Sequence, residues 1–112
     1  MDFVGPYICA EHNGGGLPWW LYKLHPEISL RSSDPDFLGH VEDWWNALMA
    51  QLKPMMIYNG GNILMVQMEN EYGSYGCDFD YTTFLRDQAL HHLGSEAVLY
   101  TTGMPCRASQ FS

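Results

Sequence analysis

The sequence predicts an α/β protein built around a parallel sheet. Three segments with strand character alternate along the chain with two segments of helical periodicity. Strand, helix, strand, helix, strand in this order is the pattern of right-handed βαβ crossovers, which place consecutive strands parallel to one another. The middle strand is almost continuously apolar, as expected of a strand covered on both faces. No repeat or low-complexity linker interrupts the 112 residues, so we expect one domain, residues 1–112.

The first strand and the first long helix are predicted within residues 3–54. Residues 3–10, FVGPYICA, form the strand, and a Gly-rich loop follows it. Asp34 is the expected N-cap of the helix and Pro35 its first helical position. Lys53 and Pro54 end it. An apolar stripe recurs at intervals of three and four, and we expect it to be buried. Its members are Phe37, Leu38, Val41, Trp44, Trp45, Leu48, Met49 and Leu52.

The second half of the chain repeats this arrangement. Residues 63–70, ILMVQMEN, form the second strand after the turn YNGGN. Asp80 is expected to open the second helix, and Gly94 to end it. Residues 96–102, EAVLYTT, form the third strand. The expected inner side of the second helix consists of Phe84, Leu85, Ala89, Leu90 and Leu93.

Composition excludes several classes of function. The net charge is -8 with only five Lys and Arg, so the clustered basic side chains that a nucleic-acid partner requires are absent. The longest apolar runs are far shorter than the roughly 20 residues of a transmembrane helix. The first residues, MDFVGPYICAE, also lack the pattern of a signal peptide. The three cysteines and the scattered histidines show no metal-ligand spacing, so we expect no metal and no cofactor.

Two carboxylates at the end of the second strand need an explanation. Burying Glu69 and Glu71 without partners is costly. Strand alternation predicts that both lie on the polar face, at the mouth of a cavity where the strands end. Glycosidic-bond hydrolysis uses two carboxylates on opposite sides of the sugar. These two Cα atoms would lie about 6.6 Å apart along one strand. They approach from the same side, so at most one of them is catalytic.

The chain resembles glycoside hydrolase family 35, and specifically its animal lysosomal β-galactosidase branch. The resemblance rests on the segments GPYICAE, GGLPWWL, LRSSDPDFL, LKPMMIYNGGNILMVQMENEYGSYGCDFDYTTFL and HHLG followed by VLYTT. It runs in order from Phe3 to about Thr102. It implies a partial (β/α)8 TIM barrel, comprising about strands 3 to 5 with their helices, and a retaining exo-β-galactosidase acting on galactose-terminated glycans.

The resemblance also implies roles for individual residues. Glu71 would be the general acid/base, held in a partly buried site, and Asn70 would bind the hydroxyl next to the anomeric carbon. Ala10 and Glu11 would bind other galactose hydroxyls. Glu69 is expected to be a structural neighbour, satisfied by other polar groups.

The same resemblance implies a disulfide and a compartment. Cys9 and Cys77 would pair, leaving Cys106 unpaired. This pairing fits an oxidising lumen, so we expect a lysosomal or secreted protein.

The resemblance leaves two functional hypotheses open. The family nucleophile is a glutamate on a later strand, beyond Ser112, so the isolated chain is expected to be an inactive piece of an enzyme. Alternatively, the chain is a non-enzymatic truncated product that binds carbohydrate or another subunit through its open sheet edges. Release of a chromogenic aglycone from a β-galactoside, lost on Glu71→Gln, would support the first hypothesis and contradict the expected inactivity. Sugar binding by an inactive, monomeric, folded chain would favour the second.

Overall fold

The computed structural model describes residues 2–106 and contains a three-stranded, fully parallel sheet. The strands are β1 (Asp2–Gly5), β2 (Val66–Met68) and β3 (Leu99–Tyr100), in the spatial order β1-β2-β3. In the register, Gln67 of β2 pairs with Phe3 on one side and Tyr100 on the other. The predicted α/β class and the predicted order of strands are therefore confirmed.

All three strands are shorter than predicted. β1 ends where Gly5 adopts a left-handed φ of 73° and Pro6, which has no backbone N–H, follows. β2 ends at Met68 because the next residue, Glu69, has a left-handed φ of 57°. Alternation of side chains along the second strand therefore stops before the two glutamates.

Three α-helices accompany the sheet. They are α1 (Trp20–Leu24), α2 (Pro35–Leu52) and α3 (Phe79–Leu93). Short 3₁₀ turns lie at Asn13–Gly16, Lys53–Met55, Ile57–Asn59 and Tyr72–Ser74. None of the helices in residues 2–106 has the length and apolar character that crossing a bilayer requires.

The helix caps match the sequence in one case and differ in the other. Asp34 caps α2 as predicted, since its side chain accepts a 3.0 Å hydrogen bond from the Asp36 backbone N–H. The expectation that Asp80 opens α3 is wrong. Asp78 is the cap, because its Oδ1 accepts from the Tyr81 backbone N–H at 3.1 Å. The Oδ2 of Asp78 is held by the Ser33 backbone N–H and hydroxyl, both at 2.7 Å.

The core lies between the sheet and helices α2 and α3. Phe37 of α2 contacts Tyr81 of α3 edge-on, with ring centroids 5.8 Å apart. The Trp45 indole is fully buried and donates a 2.9 Å hydrogen bond to the Val4 carbonyl, which ties α2 to β1. Trp44 was expected in this core and is instead 57% exposed. It follows the helix around to a different face from its neighbour.

The predicted Cys9–Cys77 disulfide is wrong. Cys77 pairs with Cys106, with their Cα atoms 5.5 Å apart, and Cys9 is free. The reason is the path of the chain after β3, which returns to the start of α3. There the Met104–Cys106 backbone packs so closely on Gly73 that a Cβ at position 73 would collide with it. Cys106 is therefore brought to Cys77 by a close approach of two backbones.

Candidate active site

The turn that follows β2 separates the two glutamates. Glu69 and Glu71 both have left-handed backbones, with φ of 57° and 49°. This conformation is uncommon for residues other than glycine, and it redirects the chain twice within three residues. Glu69 is 1% exposed and Glu71 is exposed. The expectation that both carboxylates share one cavity mouth is therefore wrong, because Glu69 is buried and lines a separate cavity of about 360 Å³ that Glu71 does not reach.

Glu69 belongs to a buried ion-pair cluster. Its Oε1 accepts hydrogen bonds from Arg31 Nη2 at 2.7 Å and Nε at 3.1 Å, and from the Asn70 backbone N–H at 3.0 Å. The Tyr81 hydroxyl donates to its Oε2. Both partners of the ion pair are at least nine-tenths buried. The expected role of Glu69 as a structural residue satisfied by polar groups is confirmed.

The tyrosines beside this cluster stay protonated. Burial raises the pKa of Tyr81, and the negative charge of Glu69 raises it further. Burial is also the main cause that raises the pKa of Tyr72, whose hydroxyl donates to the Arg31 carbonyl at 3.0 Å. Each hydroxyl therefore remains a hydrogen-bond donor, which the carboxylate and the carbonyl require.

Arg31 connects the buried cluster to the surface. Its guanidinium lies 3.7 Å from the ring centroid of Tyr7 and 4.2 Å from that of Tyr75, so it stacks between two aromatic faces. Its Nη2 also donates to the Asn70 carbonyl at 2.8 Å. Sequence reasoning gave Arg31 no role, because its partner Glu69 lies 38 positions along the chain.

A small pocket opens above this cation and its two rings. Its volume is about 210 Å³, and it lies beside the carboxyl end of β2. Its lining consists of Tyr7, Ala10, Arg31, Asn70, Glu71, Ser74 and Tyr75. It is smaller than the roughly 300–1,000 Å³ of drug-sized pockets, which suits one small polar ligand. Two larger cavities, of about 360 and 330 Å³, are mainly apolar, and neither is lined by Glu71.

Three of the four sequence-predicted site residues meet in this pocket. Ala10, Asn70 and Glu71 line it together, whereas Glu11 is exposed and lies outside the lining. Hydrogen bonds from the Cys9 side chain and from its own backbone lower the pKa of Glu11. Glu11 is therefore an ionised carboxylate next to the pocket wall.

The side chain of Asn70 is oriented by its neighbours. Its Oδ1 accepts from Gln67 Nε2 at 3.0 Å and from Thr102 Oγ1 at 3.3 Å. These bonds fix the amide, and the NH₂ group is then the part available to donate to a ligand. Gln67, to which the sequence analysis assigned no role, thus positions a pocket residue.

Within residues 2–106, Glu71 is held through its backbone, and its side chain makes no hydrogen bond. Its N–H donates to Thr102 Oγ1 at 3.4 Å. Gly103, with φ of 98°, packs against it so tightly that a Cβ there would lie 2.7 Å from the Glu71 Cα. Glu71 is exposed because residues 2–106 place no cover over it, so the partial burial implied by the resemblance stays a prediction for the complete enzyme. The pocket can present one carboxylate and one amide donor to the same ligand.

Comparison with known proteins places these residues in a family. Residues 3–111 match the family described as glycosyl hydrolases family 35. Over 99 residues the chain is 54% identical to human beta-galactosidase and 56% identical to that of Macaca fascicularis. It is 48% identical to beta-galactosidase 8 of Oryza sativa subsp. japonica over 99 residues. Each match covers 88% of this chain and 14% or 15% of the relative, so the chain spans about one seventh of their length.

Proposed function

The chain belongs to glycosyl hydrolases family 35, and from that premise we propose that it forms part of a retaining exo-β-galactosidase, which hydrolyses terminal β-galactosides. One observation carries the proposal. Asn70 and Glu71, the last residues of the turn after the central strand, share a small pocket with Ala10 from the loop after the neighbouring strand. Carboxyl ends of parallel strands are where such sites form.

Glu71 is proposed as the general acid/base. In a retaining reaction it protonates the departing glycosidic oxygen and later takes a proton from the attacking water. Its exposed carboxylate at the pocket wall leaves room for a sugar to approach. A second carboxylate, about 5–5.5 Å away across the sugar, would supply the nucleophile from another strand.

The neighbouring residues are proposed to bind the galactose. The Asn70 amide, oriented by Gln67 and Thr102, would donate to the hydroxyl next to the anomeric carbon. Ala10 gives the wall a small side chain, and Glu11 would accept from another hydroxyl at its edge. The guanidinium stacked between Tyr7 and Tyr75 supports the rest of this wall.

The fold proposed for the complete enzyme is a (β/α)8 barrel, with β1, β2 and β3 as about its third, fourth and fifth strands. The parallel order of the sheet supports this assignment. Within residues 2–106, β1 and β3 each pair with β2 alone, so each has an edge that a further strand would extend.

The chain alone is proposed to be inactive, because the second carboxylate would come from another strand. The same unpaired edges favour a second candidate, in which the chain associates with another subunit or binds carbohydrate without hydrolysis. A lysosomal or secreted location is proposed for the protein. The Cys77–Cys106 disulfide supports an oxidising compartment.

A chimera tests the proposal directly. The 99 matched residues of human beta-galactosidase are replaced by those of this chain, and hydrolysis of aryl β-galactoside, β-glucoside and α-galactoside is measured at acid pH. We expect selective hydrolysis of the β-galactoside, loss of it in Glu71→Gln, and no hydrolysis by the chain alone. An active Glu71→Gln chimera would refute the catalytic role. Sugar binding by a folded, monomeric, inactive chain would favour the second candidate.

A further inference from the structure

Two histidines form a cluster outside the candidate active site. The Nε2 atoms of His25 and His40 lie 3.1 Å apart, and their ring centroids lie 5.2 Å apart. The two residues are 15 positions apart in sequence, and folding brings them together. Both side chains are half-buried. Each presents the same ring nitrogen to the other.

The backbones of both residues are held by helices. His25 is the C-cap of α1, and its N–H donates to the Leu21 carbonyl at 2.9 Å. His40 lies within α2. The His40 ring also meets the Trp20 ring edge-on, with centroids 5.3 Å apart. Little backbone movement is needed for both nitrogens to face one ligand, which lowers the ordering cost of binding.

A carboxylate lies next to the remaining nitrogen of one histidine. Asp36 Oδ2 is 3.5 Å from His25 Nδ1, within ion-pair range. A carboxylate there favours the tautomer with the proton on Nδ1, which leaves the Nε2 lone pair directed toward His40. Carboxylate, histidine and metal in this order is a recurrent arrangement at metal sites.

We propose that His25 and His40 form a two-histidine site for a divalent transition-metal ion. Two nitrogens bound tetrahedrally to one Zn²⁺ at about 2.0–2.1 Å are about 3.3 Å apart, close to the distance between these Nε2 atoms. Imidazole nitrogens suit Zn²⁺ and its neighbours in the series. Residues 2–106 hold no cluster of three or more His, Cys, Asp or Glu side chains placed to bind a metal, so water completes the coordination.

The site does not depend on the proposed glycosidase function. It uses the side chain of the α1 C-cap and two side chains of α2, whereas the pocket around Glu71 is lined by other residues. Sequence spacing predicted no metal, since ligand motifs are recognised only when ligands are near in sequence or regularly spaced. Here the ligands meet only after α1 and α2 have packed.

Calorimetric titration of the whole chain with ZnCl₂ at about pH 7.5 tests the proposal. The Cys9→Ser background is used throughout, because Cys9 is free and a free thiol can bind zinc by itself. We expect one saturable site, with the ring ¹⁵N resonances of His25 and His40 shifting on binding. His25→Gln and His40→Gln should each abolish saturable binding. Asp36→Asn should weaken it by about tenfold or more, as loss of such a partner does elsewhere.

The chain offers a matched control in a second histidine pair. The ring centroids of His91 and His92 are 5.4 Å apart, but these residues are adjacent on α3. His91→Gln should leave zinc binding unchanged. Circular dichroism of each variant checks that it is folded. Absence of saturable binding in the starting chain, or equal binding by the folded His40→Gln and His91→Gln variants, would overturn the proposal and leave a simple imidazole hydrogen bond.

Discussion

Glu69 and Glu71 are chemically identical and two positions apart, yet the structure gives them opposite environments. Glu69 is 1% exposed, and its carboxylate forms an ion pair with Arg31 and accepts hydrogen bonds from the Tyr81 hydroxyl and the Asn70 backbone N–H. Glu71 is exposed at the wall of a small pocket. The two residues share almost the same sequence neighbours, so local sequence does not explain the difference. The backbone of the turn and the partners that it brings into reach decide the role of each carboxylate.

The buried carboxylate also supports the exposed one. Arg31, which neutralises Glu69, also donates to the Asn70 carbonyl and stacks between Tyr7 and Tyr75 in the pocket wall. The buried residue Glu69 and its partner Arg31 therefore fix the backbone from which the Glu71 side chain projects. Substitution of Glu71 should consequently reduce activity, and substitution of Glu69 should reduce stability.

The largest expected effect is on the rate of β-galactoside hydrolysis when Glu71→Gln is introduced into the chimera with human beta-galactosidase. Loss of a general acid/base lowers kcat by about 10²–10⁴-fold. The side chain is exposed, so the free energy of unfolding of the chain should change by no more than about 0.5 kcal/mol. Steady-state kinetics and urea unfolding measure the two quantities. Glu42→Gln on the exposed face of α2 is the control and should change neither. Equal rates for both variants would remove Glu71 from the mechanism.

The second effect is on stability and comes from Glu69→Ala. The substitution leaves the Arg31 guanidinium buried without its counter-ion, which lowers the free energy of unfolding by about 3–5 kcal/mol. Urea denaturation of the chain, followed by circular dichroism, should show a midpoint far below that of the unchanged chain. Glu71→Ala is the matched comparison and should unfold as the unchanged chain does. If the two alanine variants unfold alike, the contrast between the two glutamates is wrong.

Tyr81→Phe sharpens the comparison by removing one partner of Glu69 and keeping the ring. A hydrogen bond to a charged group contributes about 1.5–3 kcal/mol. Tyr58→Phe removes a comparable bond to a neutral acceptor, the Leu93 carbonyl at 2.6 Å, and should cost about 0.5–1.5 kcal/mol. The same urea experiment compares them. A larger loss from Tyr58→Phe would contradict a charged Glu69 in the core.

Asp78 is a third carboxylate, half-buried and therefore intermediate between the other two. Burial alone would raise its pKa, but hydrogen bonds from Ser33 and from the Tyr81 backbone outweigh burial, so the pKa of Asp78 is lowered from 3.8. A lowered folded-state pKa stabilises the fold above the unfolded value, and this stability is lost as pH falls through the folded value.

Asp78→Asn keeps an oxygen that can cap α3 but removes the negative charge at its N-terminus, so it should lower the free energy of unfolding by about 0.3–1 kcal/mol near pH 7. The difference between the variant and the unchanged chain should shrink below about pH 4, where Asp78 is protonated in the unfolded chain. Urea midpoints across this pH range measure it. A difference that stays constant to pH 2 would show that the Asp78 charge does not stabilise α3.

The sequence predicted what depends on periodicity and local signals. The parallel order of strands, the start of α2 at Asp34 and the position of Asn70–Glu71 at a strand end all follow from such patterns. It did not predict where β2 ends, since nothing in ILMVQMEN indicates the left-handed backbone of Glu69.

Features that depend on distant residues were missed or wrong. Arg31 meets Glu69 across 38 positions, and Cys106 reaches Cys77 across 29. Neither pairing is visible in the spacing of the residues. The N-cap of α3 is Asp78 and not Asp80 for the same reason, because Ser33 from another part of the chain holds it in place.

Azide rescue tests the proposed catalytic role of Glu71 most directly. In a retaining glycosidase without its acid/base, azide attacks the glycosyl-enzyme intermediate without needing a general base, and the ester bond to the nucleophile breaks. The Glu71→Ala chimera is incubated with an aryl β-galactoside that has a good leaving group. We expect azide to accelerate turnover and to yield β-galactosyl azide. A Glu71→Ala chimera that forms no β-galactosyl azide, or that hydrolyses the substrate at the parent rate without azide, would contradict that role.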